Sequence, residues 1–272
     1  MWRTICFFTV WFGFSSLAWG FQLHSLNSGK YVRWHKSNIE YRVHHKGSQD
    51  LPFDSTLEAL QRSFATWQGA MKGKATFSYK GLSKSPEAGY EQNAPEGNEN
   101  LLIWREKEWP HSPKAIAMTL VTYNSETGEI LDADIEFNGV SYRWINKNAS
   151  ASNSSRSLVD GRRNLPPIDV ENTATHEIGH FLGLGHSANH DATMYGEQGS
   201  EEIRKRTLHI DDQNAIDTLY KDLIQETIQR RPYRLPQPPV GWGCSSQNTT
   251  PSDLGFYLLP LLILPFMALF RR

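Results

Sequence analysis

The chain has 272 residues, with 28 Lys and Arg against 29 Asp and Glu and a formal net charge of −1. That length holds one sizeable domain plus targeting segments, and the even charge gives no electrostatic ground for a nucleic-acid partner. Nine Trp and thirteen Phe supply ample core material and exclude disorder throughout.

Residues 1–20, MWRTICFFTVWFGFSSLAWG, read as a secretory signal peptide. Arg3 is the positive flank, an apolar stretch follows, and Ala18-Trp19-Gly20 gives the small-x-small cleavage pattern. A buried N-terminal helix is the alternative. Cleavage would put the mature N-terminus near Phe21 and remove Cys6, leaving Cys244 without an internal disulfide partner, so the fold is expected to stand on packing and metal. Ile39, Tyr41 and Val43 alternate with polar residues and predict a half-buried strand. Ser55-Thr-Leu-Glu58 has the form of a capping box and predicts a helix with Leu57, Leu60, Phe64, Trp67 and Met71 on one face. Short strands are predicted at Ala75–Tyr79, Leu101–Trp104, Ala115–Tyr123 and Leu131–Phe137. Polar loops are predicted over Ser83–Glu99 and Asn146–Asn164.

The residues that carry chemistry are Thr175-His-Glu-Ile-Gly-His-Phe-Leu-Gly-Leu-Gly-His-Ser187. His176 and His180 are four apart, so a helix puts both on one face; Asp169, or alternatively Thr173, is placed to start it. Gly183 can adopt the left-handed conformation that ends a helix, and the chain then brings His186 in from a second direction. Three imidazoles leave the fourth position of a tetrahedral Zn²⁺ open, the mark of a catalytic rather than a structural site. Glu177, directly after a ligand, can lie beside a water there and serve as general base. His190 reads as a solvent-facing loop residue, and His44-His45 and His209 as surface residues without partner spacing. Asp132 and Asp134 fit either a Ca²⁺ site or the cap of a turn after Gly128.

His-Glu-x-x-His-x-x-Gly-x-x-His followed by a Met-turn, here Ala192-Thr-Met-Tyr195, resembles the signature of metzincin zinc peptidases. Ser187 after the third His, and Leu208–Tyr220 with its Asp pair, resemble the matrixin branch, the relatives of matrix metalloproteinases. Arg33-Trp34, the Ile39–Val43 strand and Ser63-Phe-Ala-Thr-Trp-Gln68 match the front of the same domain, so the resemblance covers nearly all of residues 33–222. It implies an α+β fold: a twisted, mostly parallel sheet with an edge strand over the cleft, an active-site helix and a C-terminal helix. It also implies one catalytic Zn²⁺, a polypeptide substrate held on the edge strand around Ala115–Tyr123, and an apolar base under the metal from Met194. One of Asp211 or Asp212 is expected to hydrogen-bond beneath the Met-turn. The departures matter too. Glu136 stands where a structural-zinc histidine is expected, so a second zinc is not expected, and calcium loops cannot be traced. No Pro-Arg-Cys-Gly segment precedes Arg33, which leaves no cysteine ligand ahead of the domain to restrain activity. Gly196 replaces the Pro usual after the Met-turn Tyr.

Residues 225–253 lose apolar periodicity, and Pro232, Pro236, Pro238 and Pro239 mark an extended spacer after a catalytic domain over 21–224. An apolar block, Leu254 to Phe270, and then Arg271-Arg272 form a terminal segment, 254–272, that predicts at least temporary membrane attachment with the domain facing outward. With Gly243-Cys244 it resembles the sorting tails of some bacterial surface proteins, notably of myxobacteria; a GPI-anchor signal is the rival reading. Sequons at Asn148, Asn153 and Asn248 matter only in a eukaryotic host. The expected molecule is a secreted or surface-anchored monomeric zinc endopeptidase. A catalytically inactive zinc-binding surface module is the competing class, and Glu177 speaks against it.

Overall fold

A computed structural model describes residues 20–149, 161–221, 240–242 and 245–246. The predicted signal peptide, the apolar block at 254–270 and the sequons at Asn153 and Asn248 fall outside the described residues. Among the described residues no helix is long and apolar enough to cross a membrane.

The chain opens with β1 (Phe21–Leu23) and β2 (Asn38–His44), followed by α1 (Phe53–Met71) and β3 (Thr76–Ser83). The 83–99 loop leads to β4 (Leu101–Arg105), β5 (Ala117–Tyr123), β6 (Ile130–Asn138) and β7 (Arg143–Ile145). Then come β8 (Pro167–Asp169), α2 (Val170–Phe181), β9 (Leu184–Ser187), β10 (Glu197–Gln198) and α3 (Ile210–Leu219). Two short strands, β11 (Val240–Trp242) and β12 (Ser245–Ser246), come from the stretch expected to be a spacer.

The main sheet has the order β11-β5-β6-β4-β2-β3. The β3–β2, β2–β4 and β4–β6 pairs are parallel, and only β5 and β11 run antiparallel to their neighbours. The sheet is therefore mostly parallel, as the predicted fold class requires. Helices α1 and α2 pack together over a core that includes Trp34, Trp67, Phe137, Trp144 and Phe181, all fully buried. Removing one such ring would cost about 3–5 kcal/mol.

Helix α1 corrects one expectation. It starts at Phe53 after Pro52, not at the Ser55 box, and has no side-chain cap. Ser55 is engaged elsewhere: Asn146 Nδ2 donates to both its Oγ and its carbonyl at 3.0 Å. Proline fits the start of a helix because it has no N–H to leave unpaired.

Candidate metal centre

Helix α2 carries the first two histidines. Asp169 is its cap, accepting from Asn172 N–H at 2.9 Å, while Thr173 lies inside the first turn. The far end is closed by tertiary contacts. Trp34 Nε1 donates to the Phe181 carbonyl at 2.9 Å and the Tyr220 hydroxyl to the Leu182 carbonyl at 2.8 Å, so two carbonyls that a helix end leaves open find donors. Gly183 has φ +99°, and a Cβ there would sit 2.2 Å from the Val32 carbonyl oxygen, so only glycine lets the chain turn here. Strand β9 follows and delivers His186; β1 braces it by antiparallel pairing, Phe21 opposite Ser187.

His176, His180 and His186 converge as the spacing predicted. Their candidate ligand atoms all lie within 4.8 Å of one another, and the group could hold a metal ion. His180 Nε2 and His186 Nε2 are 3.1 Å apart, close to the ~3.3 Å expected for two nitrogens bound about 2.0–2.1 Å from a tetrahedral zinc. His176 Nδ1 lies 2.6 Å from the Thr193 carbonyl and His180 Nδ1 2.7 Å from that of Leu184. A carbonyl only accepts, so each Nδ1 carries the proton and each Nε2 turns a lone pair inward. The buried Nε2 of His176 has no hydrogen-bond partner among the described residues. Burial, and then the charge of Lys205, hold His176 well below the ordinary imidazole range; burial and then His186 do the same for His180. His186 is lowered to about 4, by burial and then Lys205. Neutral imidazole is the form that binds metal, so this donor set fits zinc.

Glu177 is buried beside the ligands, and the Thr119 hydroxyl of β5 donates to its Oε2 at 2.7 Å. The Met-turn lies underneath. Met194 is buried, and a Cβ on Gly179 would come within 2.1 Å of its Sδ, so the glycine of the motif makes room for the methionine. Asp212 holds the turn: its two carboxylate oxygens accept from Thr193 N–H at 2.8 Å and Met194 N–H at 3.0 Å. Burial pushes the Asp212 carboxyl up, and these hydrogen bonds oppose the shift. Asp211 does a different job, accepting from Ser187 Oγ at 2.6 Å and from Gly20 N–H at 3.1 Å. Sequence reasoning missed Lys205. It is fully buried, its ammonium donates to the Tyr195 carbonyl, and its Nζ lies 3.5 Å from His176 Nδ1. A lysine between Arg204 and Arg206 in a charged stretch gave no signal of this.

Other expectations resolve individually. Glu136 is buried, accepting from Arg105 Nε at 2.6 Å, with His111 Nε2 also 2.6 Å away. Burial alone would raise its carboxyl, but His111 and Arg105 hold it below the ordinary value. Asp134 caps no turn after Gly128. It accepts from Leu101 N–H at 2.7 Å and Gly89 N–H at 2.5 Å, and burial pushes its carboxyl up. His190 is exposed and rests against Tyr195, ring centroids 4.2 Å apart. His209 is not a plain surface residue, because its Nδ1 accepts from Asp211 N–H at 3.1 Å and caps α3. His44 is buried too.

The matrixin family model matches residues 111–221. Metalloendoproteinase 4-MMP of Arabidopsis thaliana is 41% identical over 61 residues, which is 22% of this chain and 18% of that protein. Metalloendoproteinase 1-MMP of the same plant is 50% identical over 44 residues, 16% of this chain and 11% of that protein. Matrilysin of Homo sapiens is 45% identical over 47 residues, 17% of this chain and 18% of that protein. The chain thus spans less than a fifth of the length of these relatives. The stretch that matches the matrixin family is the one that holds Thr119, the three histidines, Glu177, the Met-turn and the Asp pair beneath it.

Proposed function

We propose that this chain is a zinc-dependent endopeptidase, with His176, His180 and His186 as ligands and Glu177 as general base. One observation carries the reading: three neutral, inward-turned imidazoles converge beside a buried carboxylate that Thr119 holds in place. Zinc bound there would lower the pKa of a water to about 7 and polarise a substrate carbonyl. Glu177 takes the proton of the attacking water and passes it to the leaving amine, so one carboxylate serves as base and then acid. Thr119 fixes which way that carboxylate faces. Met194, seated against Gly179, keeps the floor apolar and dry. An extended peptide substrate would add to the outer edge of β5, pairing through backbone N–H and C=O groups. The inactive zinc-binding module accounts for the histidines but gives the Thr119–Glu177 contact no purpose.

We further propose that the enzyme works outside the cell, exported by residues 1–20 and held, at least for a time, by residues 254–272. Deleting 254–272 should move the active protein into the medium. A deleted form that stays cell-bound beside a freely soluble full-length form would contradict this. For the activity itself, the purified protein is incubated with denatured casein, with and without a zinc chelator. Hydrolysis that the chelator stops and added zinc restores supports the proposal; hydrolysis indifferent to the chelator overturns it.

A further inference from the structure

The stretch expected to be an extended spacer adds a strand to the main sheet. β11 pairs antiparallel with β5, Val240 opposite Val121, Gly241 opposite Leu120 and Trp242 opposite Thr119. β12 then pairs in parallel with β10, Ser245 opposite Glu197 and Ser246 opposite Gln198. Both contacts lie at the metal centre. Thr119 donates to Glu177. On the other side, Glu197 follows Gly196, whose backbone lies so close to the His186 ring that a Cβ would be 3.1 Å from Nδ1. Trp242 and Ser245 are three residues apart, which limits their Cα atoms to about 11 Å of separation. One segment therefore runs from the side of the general base to the side of the third ligand. Glu177 is 0% exposed and His180 1%, while His186 keeps part of its surface open.

We propose that this C-terminal segment, through β11 and β12, occupies the substrate edge of its own chain and restrains the enzyme in cis. The inference rests on the endopeptidase reading. Backbone pairing is indifferent to side chains, so the segment competes with any extended peptide for the same N–H and C=O groups. Tethering makes a weak competitor effective. A local concentration of about 1 mM against an affinity of about 0.1 mM gives roughly tenfold inhibition.

The test uses the full chain and the double variant Gly241→Pro/Trp242→Pro. In an antiparallel ladder, successive N–H groups point to opposite sides, so two adjacent prolines remove whichever donor faces β5. The variant should show kcat/KM on a short fluorogenic peptide raised about tenfold, mainly through KM, and faster hydrogen exchange at the β5 amides. Equal kcat/KM in two active proteins would overturn the restraint and leave β11 an ordinary edge strand. If neither protein cleaves the peptide, the catalytic reading fails and the inhibitory role with it. Exchange at β5 then still separates the two failures: acceleration shows the segment docked there, and no change overturns the docking itself.

Discussion

Gly179 and Asp212 show how single residues set the floor of the centre. With a Cβ only 2.1 Å from Met194 Sδ, Gly179→Ala cannot be absorbed by a small adjustment, since Trp67 closes the other side at 3.0 Å. The variant should lose about 1–3 kcal/mol in denaturant unfolding; unchanged stability would mean that Met194 does not pack there. Asp212→Ala strands the amides of Thr193 and Met194 in a buried turn, an expected loss of about 1–3 kcal/mol. Asp212→Asn keeps one acceptor oxygen and should fall between Ala and the natural chain. If all three unfold alike, the carboxylate does not hold the turn.

At the scale of elements, the turn from α2 into β9 decides where His186 goes. Gly183→Ala meets both a left-handed φ and the Val32 carbonyl, whereas Gly29, at φ +79°, has nothing within 4 Å of its would-be Cβ. Gly29→Ala should therefore cost only the backbone strain of about 1–2 kcal/mol. Gly183→Ala should cost more and weaken zinc binding, as read by competition with a metal indicator; equal effects on zinc at both sites would contradict this account of the turn. Helix α2 was legible in the sequence because its cap, its His pair and its terminal glycine are local signals. So were β2 to β6, whose apolar patterns persist over several residues. Strands β1, β7, β8 and β9 were not, since elements of three or four residues are made by their partners and not by propensity. The start of α1 was misread for a related reason: Ser55 could cap a helix, but Asn146, distant in sequence, takes its oxygen. His209 was misread because a histidine cap is uncommon and its acceptor role depends on the helix that follows. The spacer composition of 225–253 gave no sign of β11, whose pairing depends on an edge that only the folded sheet offers.

For the whole molecule, the charge economy around Glu136 bears on how many metal ions it holds. Arg105 already supplies positive charge to that carboxylate and His111 Nε2 lies within hydrogen-bond distance of it, so one tightly held zinc per chain is expected, not two. Elemental analysis finding two would contradict this pairing. Removing the single ion should also lower the melting temperature, because binding at a thousand times Kd contributes about 4 kcal/mol. A chelated protein that melts like the loaded one would place the metal away from the folded centre. The central claim, that Glu177 serves the chemistry and the three histidines hold the metal, is tested most directly by measuring zinc content and peptide hydrolysis together in the natural chain and in Glu177→Ala. The expected result is one zinc in both proteins, with hydrolysis in the variant reduced by about 10²–10⁴-fold. Undiminished turnover by a Glu177→Ala protein that still carries its zinc would contradict the account.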